Sequence, residues 1–118
     1  MALFGVAGFW VVAARGQAPQ TAVSLPSERH LRNVKQLTFG GENAEAYFSF
    51  DGKKLSFQST GKYPCDQIFT MNVDGSGLKL VSNGKGRTTC SHYMPDGKSL
   101  VYASTHLGGD TWPSGPGR

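Results

Sequence analysis

The feature that most constrains this 118-residue chain is an internal repeat with an offset of 45 residues. Residues 41–60 align with residues 86–105 without a gap. The residues identical at this offset are Gly41/Gly86, Asp51/Asp96, Gly52/Gly97, Lys53/Lys98, Leu55/Leu100, Ser59/Ser104 and Thr60/Thr105. An aromatic ring recurs at Phe48/Tyr93 and Phe57/Tyr102. Because repeats of this length are supersecondary units that bury their apolar faces against each other, the chain is expected to contain stacked, similar units.

Turn chemistry indicates that each unit is made of β-strands. Asp-Gly pairs lie between apolar runs, where glycine supplies the positive φ of a hairpin turn at no steric cost. These repeat turn motifs are Asp51-Gly52, Asp74-Gly75 and Asp96-Gly97. After the first turn, apolar and polar residues alternate as in a strand with one buried face. The pattern predicts strands at about 44–50, 54–59, 67–73, 78–82, 88–94 and 99–104, and an outer strand at 33–38.

Composition supports an all-β fold. The chain has 16 Gly and 6 Pro, together about 19% against roughly 12% in average usage. Charged residues are 17% of the chain, where roughly 25% is usual. These values exclude a coiled coil and a long helical bundle, and the length excludes a (β/α)8 barrel, which needs about 250 residues.

The repeat length lies in the range of β-propeller blades, which have about 40–45 residues and four strands each. The fold predicted is therefore all-β, a β-propeller fragment of about two four-stranded antiparallel blades. Complete propellers have about four to eight blades. We expect either a piece of a longer propeller or copies that assemble, with self-association through the open blade edges.

Three motifs carry a resemblance to a known family. The segments 49–55 and 94–100 resemble the S-P-D-G-K-x-L core of TolB-like, WD40-like propeller repeats, with Phe50 where the first motif usually has proline. Segment 67–76 is similar to the I-Y-x-M-N-x-D-G-S stretch that follows that core, and 36–38 to the x-L-T that ends each blade. The resemblance covers about residues 33–107. It implies a bacterial, usually periplasmic propeller used for protein interaction, or the non-catalytic domain of a dipeptidyl-peptidase-like or amidohydrolase-type enzyme.

The N-terminus is typical of an exported protein. Residues 2–14 are uncharged and mostly apolar, long enough for a signal-peptide core but shorter than the roughly 20 residues that span a bilayer. The domains predicted are a signal peptide at 1–18, an extended lead-in at 19–32, the TolB-like repeats at 33–107 and a disordered tail at 108–118. The localisation predicted is periplasmic or secreted, with no membrane span in the mature chain.

Two cysteines fit that compartment. Cys65 and Cys90 are a disulfide candidate, because an even pair of cysteines in an exported chain favours a bridge. Two free buried thiols are the alternative. The net charge of +4 is scattered, so no basic stripe of the kind that binds nucleic acid is visible. Protein partners are therefore expected, and nucleic acid is not.

Catalytic and metal-binding patterns are weak. The G-x-S-x-G elbow of a serine hydrolase is absent from the sequence. A zinc site built from Cys90, His92, Cys65 and His106 lacks the usual ligand spacing, and the calcium-like start at 72–77 has Asn83 where a glutamate is required. We predict no enzyme activity, no catalytic residue, no metal and no cofactor. Tyr47, Tyr63, Tyr93 and His92 are candidates for exposed ring faces, whereas Phe48, Phe57, Phe69 and Tyr102 are expected to pack between blades.

Overall fold

A computed structural model describes residues 28–110. The chain divides into two compact units, Met1–Gln36 and Leu37–Arg118. The described part of the first unit, 28–36, contains no helix or strand element, and its residue Glu28 accepts a hydrogen bond from the backbone N–H of His30 at 2.6 Å. The predicted signal peptide and most of the predicted lead-in and tail lie outside the described residues.

The second unit begins with a four-stranded antiparallel sheet. Its strands are β1 (Asn43–Phe48), β2 (Lys54–Ser59), β3 (Gln67–Asn72) and β4 (Lys79–Leu80), and they pair in the order β1-β2-β3-β4. Asp74-Gly75 occupies the turn that joins β3 to β4, where Gly75 has a φ of 89° and donates to the carbonyl of Asn72 at 2.9 Å. This meander agrees with the predicted strand order, although β4 is shorter than predicted.

A two-stranded antiparallel sheet follows. It consists of β5 (Thr88–Tyr93) and β6 (Leu100–Ser104), and a 3₁₀ turn over His106–Gly108 comes next. The described residues therefore form an all-β structure of two antiparallel sheets without an α-helix. The all-β part of the predicted fold class is confirmed.

Backbone hydrogen bonds recur at the same offset as the sequence repeat. Gly52 donates to the carbonyl of Ser49 at 2.9 Å, and Gly97 donates to Met94 at the same distance. The strand ends match as well, because the bond from Thr60 to Glu42, at 3.1 Å, recurs between Thr105 and Arg87 at 3.0 Å. The hairpins β1–β2 and β5–β6 are thus two copies of one structure.

Both copies contain the same β-bulge. The register shifts between Ala44 and Tyr47 in β1, and between Thr89 and His92 in β5. The extra residue of each bulge has a left-handed backbone, with φ of 51° at Glu45 and 54° at Cys90. Left-handed non-glycine residues are uncommon, so their recurrence 45 residues apart indicates that the bulge belongs to the repeated unit.

The glycines that start each repeat have a steric reason to be there. A Cβ on Gly41 would lie 2.9 Å from the backbone nitrogen of Gly61, and one on Gly86 would lie 2.7 Å from that of His106. Both glycines also have φ above 60°. At each hairpin the two strand ends therefore approach too closely for any side chain.

The two faces of the four-stranded sheet make different contacts. One face contributes the apolar cluster of Leu55, Phe57 and Met71, against which Leu37 and Phe69 pack. On the other face, β5 lies against β1, β2 and β3. The contact between the sheets is polar: the fully buried Ser56 donates its hydroxyl to the carbonyl of Ser91 at 2.9 Å. The core thus has an apolar side and a hydroxyl-rich side.

The strand predicted over 33–38 does not form. Apart from an isolated bridge at Lys35, this segment joins no ladder. Leu37 instead packs its side chain against the apolar cluster. Leu37 therefore covers part of a sheet face instead of pairing along a sheet edge.

Two predictions for the aromatic residues were wrong. Phe57 is 3% exposed as expected, but Phe48, expected inside, is 67% exposed. Tyr93, expected on an exposed ring face, is 8% exposed. The physical reason is that β5 is covered by the first sheet on the side where Tyr93 projects, whereas the equivalent side of β1 at Phe48 is open among the described residues.

Candidate functional site

The two bulges form the most distinctive exposed surface of the described chain. Strands β1 and β5 contact each other, and the rings of Tyr47 and His92, each next to a bulge, are in contact. We call the four residues Glu45, Tyr47, Cys90 and His92 the bulge surface. Glu45, Cys90 and His92 are exposed and Tyr47 is half-buried. Bulges redirect side chains and leave backbone groups unpaired, and for this reason they are frequent beside functional sites.

A ring pair lies at the centre of the bulge surface. The rings of Tyr47 and His92 have centroids 4.0 Å apart and planes inclined by 39°. Tyr47 lies opposite Ser56 in the ladder of the first sheet, and His92 lies opposite Val101 in the second. The contact therefore joins the two sheets and places a phenol and an imidazole at the surface.

The chemistry of this surface suits recognition. A carboxylate, a phenol, an imidazole and a thiol offer hydrogen-bond acceptors, donors and an apolar ring edge within a few residues. Tyrosine with one apolar side and one polar end is a residue type enriched at protein interfaces. The bulge surface therefore presents side chains of types that are common at protein interfaces.

An open pocket of about 440 Å³ lies between the β2 end of the first sheet and the start of the second hairpin. Its lining residues are Gln58, Asp66, Arg87, Thr89, Ala103, Ser104 and Thr105. Arg87 Nε lies 3.2 Å from Asp66 Oδ2, and Gln58 Oε1 accepts from the Thr89 hydroxyl and, at 3.3 Å, from the Cys90 N–H. These contacts join the two sheets, so the pocket is lined by residues that stabilise their packing.

Hydrogen bonds lower the pKa values of the aspartates in the two repeated turns. The pKa of Asp51 is lowered, first by the hydroxyl of Ser49, which donates to Oδ1 at 2.7 Å, and then by the Lys53 N–H. The pKa of Asp96 is lowered first by the backbone N–H of Ser99 and then by that of Lys98. Gly52 and Gly97 follow with φ of 68° and 65°. These residues hold the hairpins in shape.

One contact resembles a nucleophile and base but has a structural role. Ser104 Oγ lies 2.8 Å from His106 Nδ1 and accepts from the His106 backbone N–H at 3.3 Å. In the first hairpin, Ser59 Oγ accepts the backbone N–H of Gly61 at 3.2 Å, without an imidazole. Because the same hydroxyl caps the strand end in both copies, it belongs to the repeated backbone framework.

The two cysteines do not form a disulfide in this structure. Cys65 is buried in the connection between β2 and β3, and Cys90 is exposed at the bulge of β5. A bridge between them in an oxidising compartment stays a prediction. The Cys90 thiol instead lies 3.4 Å from the hydroxyl of its neighbour Thr89.

The residues of the zinc-like and calcium-like patterns lie in ordinary strands, turns and connections. Among residues 28–110, no three His, Cys, Asp or Glu side chains come together in a way that could hold a metal ion. In the calcium-like segment, Asp74 Oδ1 accepts the N–H of Ser76 at 2.8 Å, and Asn72 Nδ2 donates to the Ser76 hydroxyl at 3.0 Å. Within the same residues, no helix is long and apolar enough to cross a membrane.

Comparison with known proteins found no matching family model, no matching curated protein and no matching solved structure.

Sequence reasoning identified part of the bulge surface. It chose Tyr47 and His92 as exposed rings and missed Glu45 and its bulge. In segment 44–48, the succession of Ala46, Tyr47 and Phe48 interrupts the alternation, which was the available signal, since a bulge adds one residue to a period of two.

Proposed function

We propose that this chain is part of an exported, non-enzymatic β-propeller that binds protein partners, as in the TolB-like repeats it resembles. The observation that carries the proposal is the recurrence of a complete hairpin, with its turn, bulge and strand-end bonds, at an offset of 45 residues. The stacking of β5 against the first sheet supports units that pack face to face, as blades do. The bulge surface offers the partner-binding chemistry.

The second candidate is the propeller portion of a dipeptidyl-peptidase-like or amidohydrolase-type enzyme whose catalytic domain lies on other sequence. The open pocket between the sheets favours this candidate, because such domains shape the path to a separate active site. Reading the gene beyond codon 118 separates the two candidates. Further Asp-Gly-Lys repeats followed by a hydrolase elbow would support the enzyme, and repeats followed by a stop codon would support the binding module.

Partner binding is testable by site-specific photocrosslinking in bacterial envelopes. A photoreactive phenylalanine at Tyr47 should give one reproducible crosslinked protein, and His92→Ala should remove it. Leu78, which is 62% exposed in the β3–β4 connection, is the control position and should give no product. Equal crosslinking at both positions, or none at Tyr47, would contradict a binding role for the bulge surface.

Export is testable with the full chain fused ahead of a phosphatase that is active only outside the cytoplasm. Residues 1–18 should be required for phosphatase activity. Equal activity of a fusion that begins at residue 19 would contradict the export part of the proposal.

A further inference from the structure

We propose that copies of this chain associate head to tail, with β1 of one copy docking on the outer face of the β5–β6 sheet of the next. The occupant of that face is thus a second copy. The inference rests on the repeated fold and goes beyond the proposed function, because it needs neither export nor an envelope partner.

The contact between the two sheets within one chain is the template. There β5 lies across β1, β2 and β3. Ser91 and Tyr93 of β5 are 1% and 8% exposed because they face the first sheet. Ser56 donates its hydroxyl to the Ser91 carbonyl at 2.9 Å. Within the chain, the second hairpin therefore docks on the first sheet through one side of β5.

Strand β1 carries the same docking side, and that side is open. At the repeat offset, Ala46 corresponds to Ser91 and Phe48 to Tyr93. Phe48 lies opposite Leu55 in its ladder, as Tyr93 lies opposite Leu100, so both aromatic residues project from the same side of their hairpins. Ala46 is exposed, and Phe48 is 67% exposed.

The face on which β1 would dock is the outer face of β6. We call this face the acceptor, and the docking side of β1 the donor. Val101 corresponds to Ser56 and Ala103 to Gln58 at the repeat offset. In the first sheet β5 covers Ser56 completely, whereas Val101 is 55% exposed and Ala103 is exposed. Among the described residues, no strand covers this face of the second sheet.

The two sides of the proposed contact are both more apolar than the pair inside the chain. Inside the chain, Ser56 donates its hydroxyl to the backbone carbonyl of Ser91. Between copies, Val101 would pack on Ala46, and that hydrogen bond would have no counterpart. Phe48 would pack its ring on the outer face of the β5–β6 sheet. The donor and acceptor face away from each other across the stacked sheets, so the contact is heterologous and can continue from copy to copy.

Sedimentation of the full chain over a concentration series tests the proposal. The wild-type mass should rise above the single-chain value of 12.6 kDa. Phe48→Ser removes the donor and Val101→Asp removes the acceptor, and each should weaken association about tenfold or more, as loss of a central interface residue does. An equimolar mixture of the two variants retains one intact donor and one intact acceptor. It should form a complex of two chains and nothing larger.

Matched controls make the outcome decisive. Phe50→Ser and Leu78→Asp change side chains that are 71% and 62% exposed outside the proposed contact, and both should associate like the wild type. Phe48→Gln and Val101→Thr, checked for folding by circular dichroism, repeat the test with milder changes. A single-chain mass at every concentration, equal effects of the controls, or failure of the mixture to pair would overturn the proposal. Association through the open β6 edge would leave all four contact variants unaffected and would also overturn it.

Discussion

The hairpins β1–β2 and β5–β6 have the same backbone but different neighbours. The first pairs with β3 and β4 in a four-stranded sheet that has an apolar cluster on one face, whereas the second forms a two-stranded sheet with an exposed outer face. Turn, bulge and strand-end bonds are nevertheless the same in both. Local sequence therefore determines the shape of the hairpin, and the neighbouring sheets determine which of its side chains contribute to stability.

Truncation of the second aromatic position should show the largest difference between the hairpins. Phe57 is 3% exposed and stacks with Phe69 at a centroid distance of 5.9 Å, while its counterpart Tyr102 is only half-buried. We expect Phe57→Ala to lower the free energy of unfolding by about 3–5 kcal/mol and Tyr102→Ala to lower it by about 1 kcal/mol. Urea denaturation measures both. Equal losses would mean that the two hairpins have similar surroundings after all.

The first aromatic position should show the reverse order. Tyr93 is buried between the sheets, whereas Phe48 is largely exposed. Tyr93→Ala should cost about 2–3 kcal/mol, measured in urea at a concentration where the chain is monomeric. Phe48→Ala should stay within about 0.5 kcal/mol of the wild type under the same conditions. A large cost at Phe48 in the monomer would contradict its exposure.

These two positions show what the sequence could and could not predict. Asp-Gly turns, alternation and the repeat offset predicted the order of the six strands, because those signals act within a few residues. The burial of Phe48 and Tyr93 was predicted wrongly, because the repeat makes them equivalent and only the docking of β5 distinguishes them. The strand at 33–38 failed for a related reason, since Leu37 packs on the apolar cluster instead of pairing along an edge.

The candidate site was predictable only in part. Tyr47 and His92 could be chosen as aromatic residues on strands near the turns of the repeat. Their ring contact depends on β1 lying beside β5, which no local pattern encodes. The left-handed backbone at Glu45 and Cys90 could not be expected from residue type, because neither position is glycine or asparagine.

Acid should weaken both repeated turns. The pKa values of Asp51 and Asp96 are held below their ordinary value of 3.8 by hydrogen bonds to Ser49 and Ser99, respectively. Because the folded-state pKa lies below the unfolded one, the ionised turns contribute stability that is fully present above about pH 4 and is lost as the pH falls through the folded-state values.

The urea midpoint of the wild type should therefore decline below about pH 4, and the double variant with Asp51→Ala and Asp96→Ala should decline less steeply over the same range. Each single variant tests the turn of one hairpin and should remove part of the pH dependence of the urea midpoint. An unchanged slope in the double variant would show that other carboxylates govern the acid response.

The smallest expected effect is a difference in stability between variants of the two serines that meet between the sheets. Ser56 Oγ donates to the carbonyl of Ser91 at 2.9 Å, whereas Ser91 Oγ is buried and has no hydrogen-bond partner among the described residues. Ser56→Ala leaves that carbonyl without its donor and should cost about 1 kcal/mol. Ser91→Ala removes a hydroxyl that is desolvated without compensation, so the variant should be unchanged to about 1 kcal/mol more stable in urea. Alanine already occupies the equivalent position in the first hairpin, at Ala46, so the substitution fits the hairpin backbone. A clear loss of stability in Ser91→Ala would show that this hydroxyl is paired in solution.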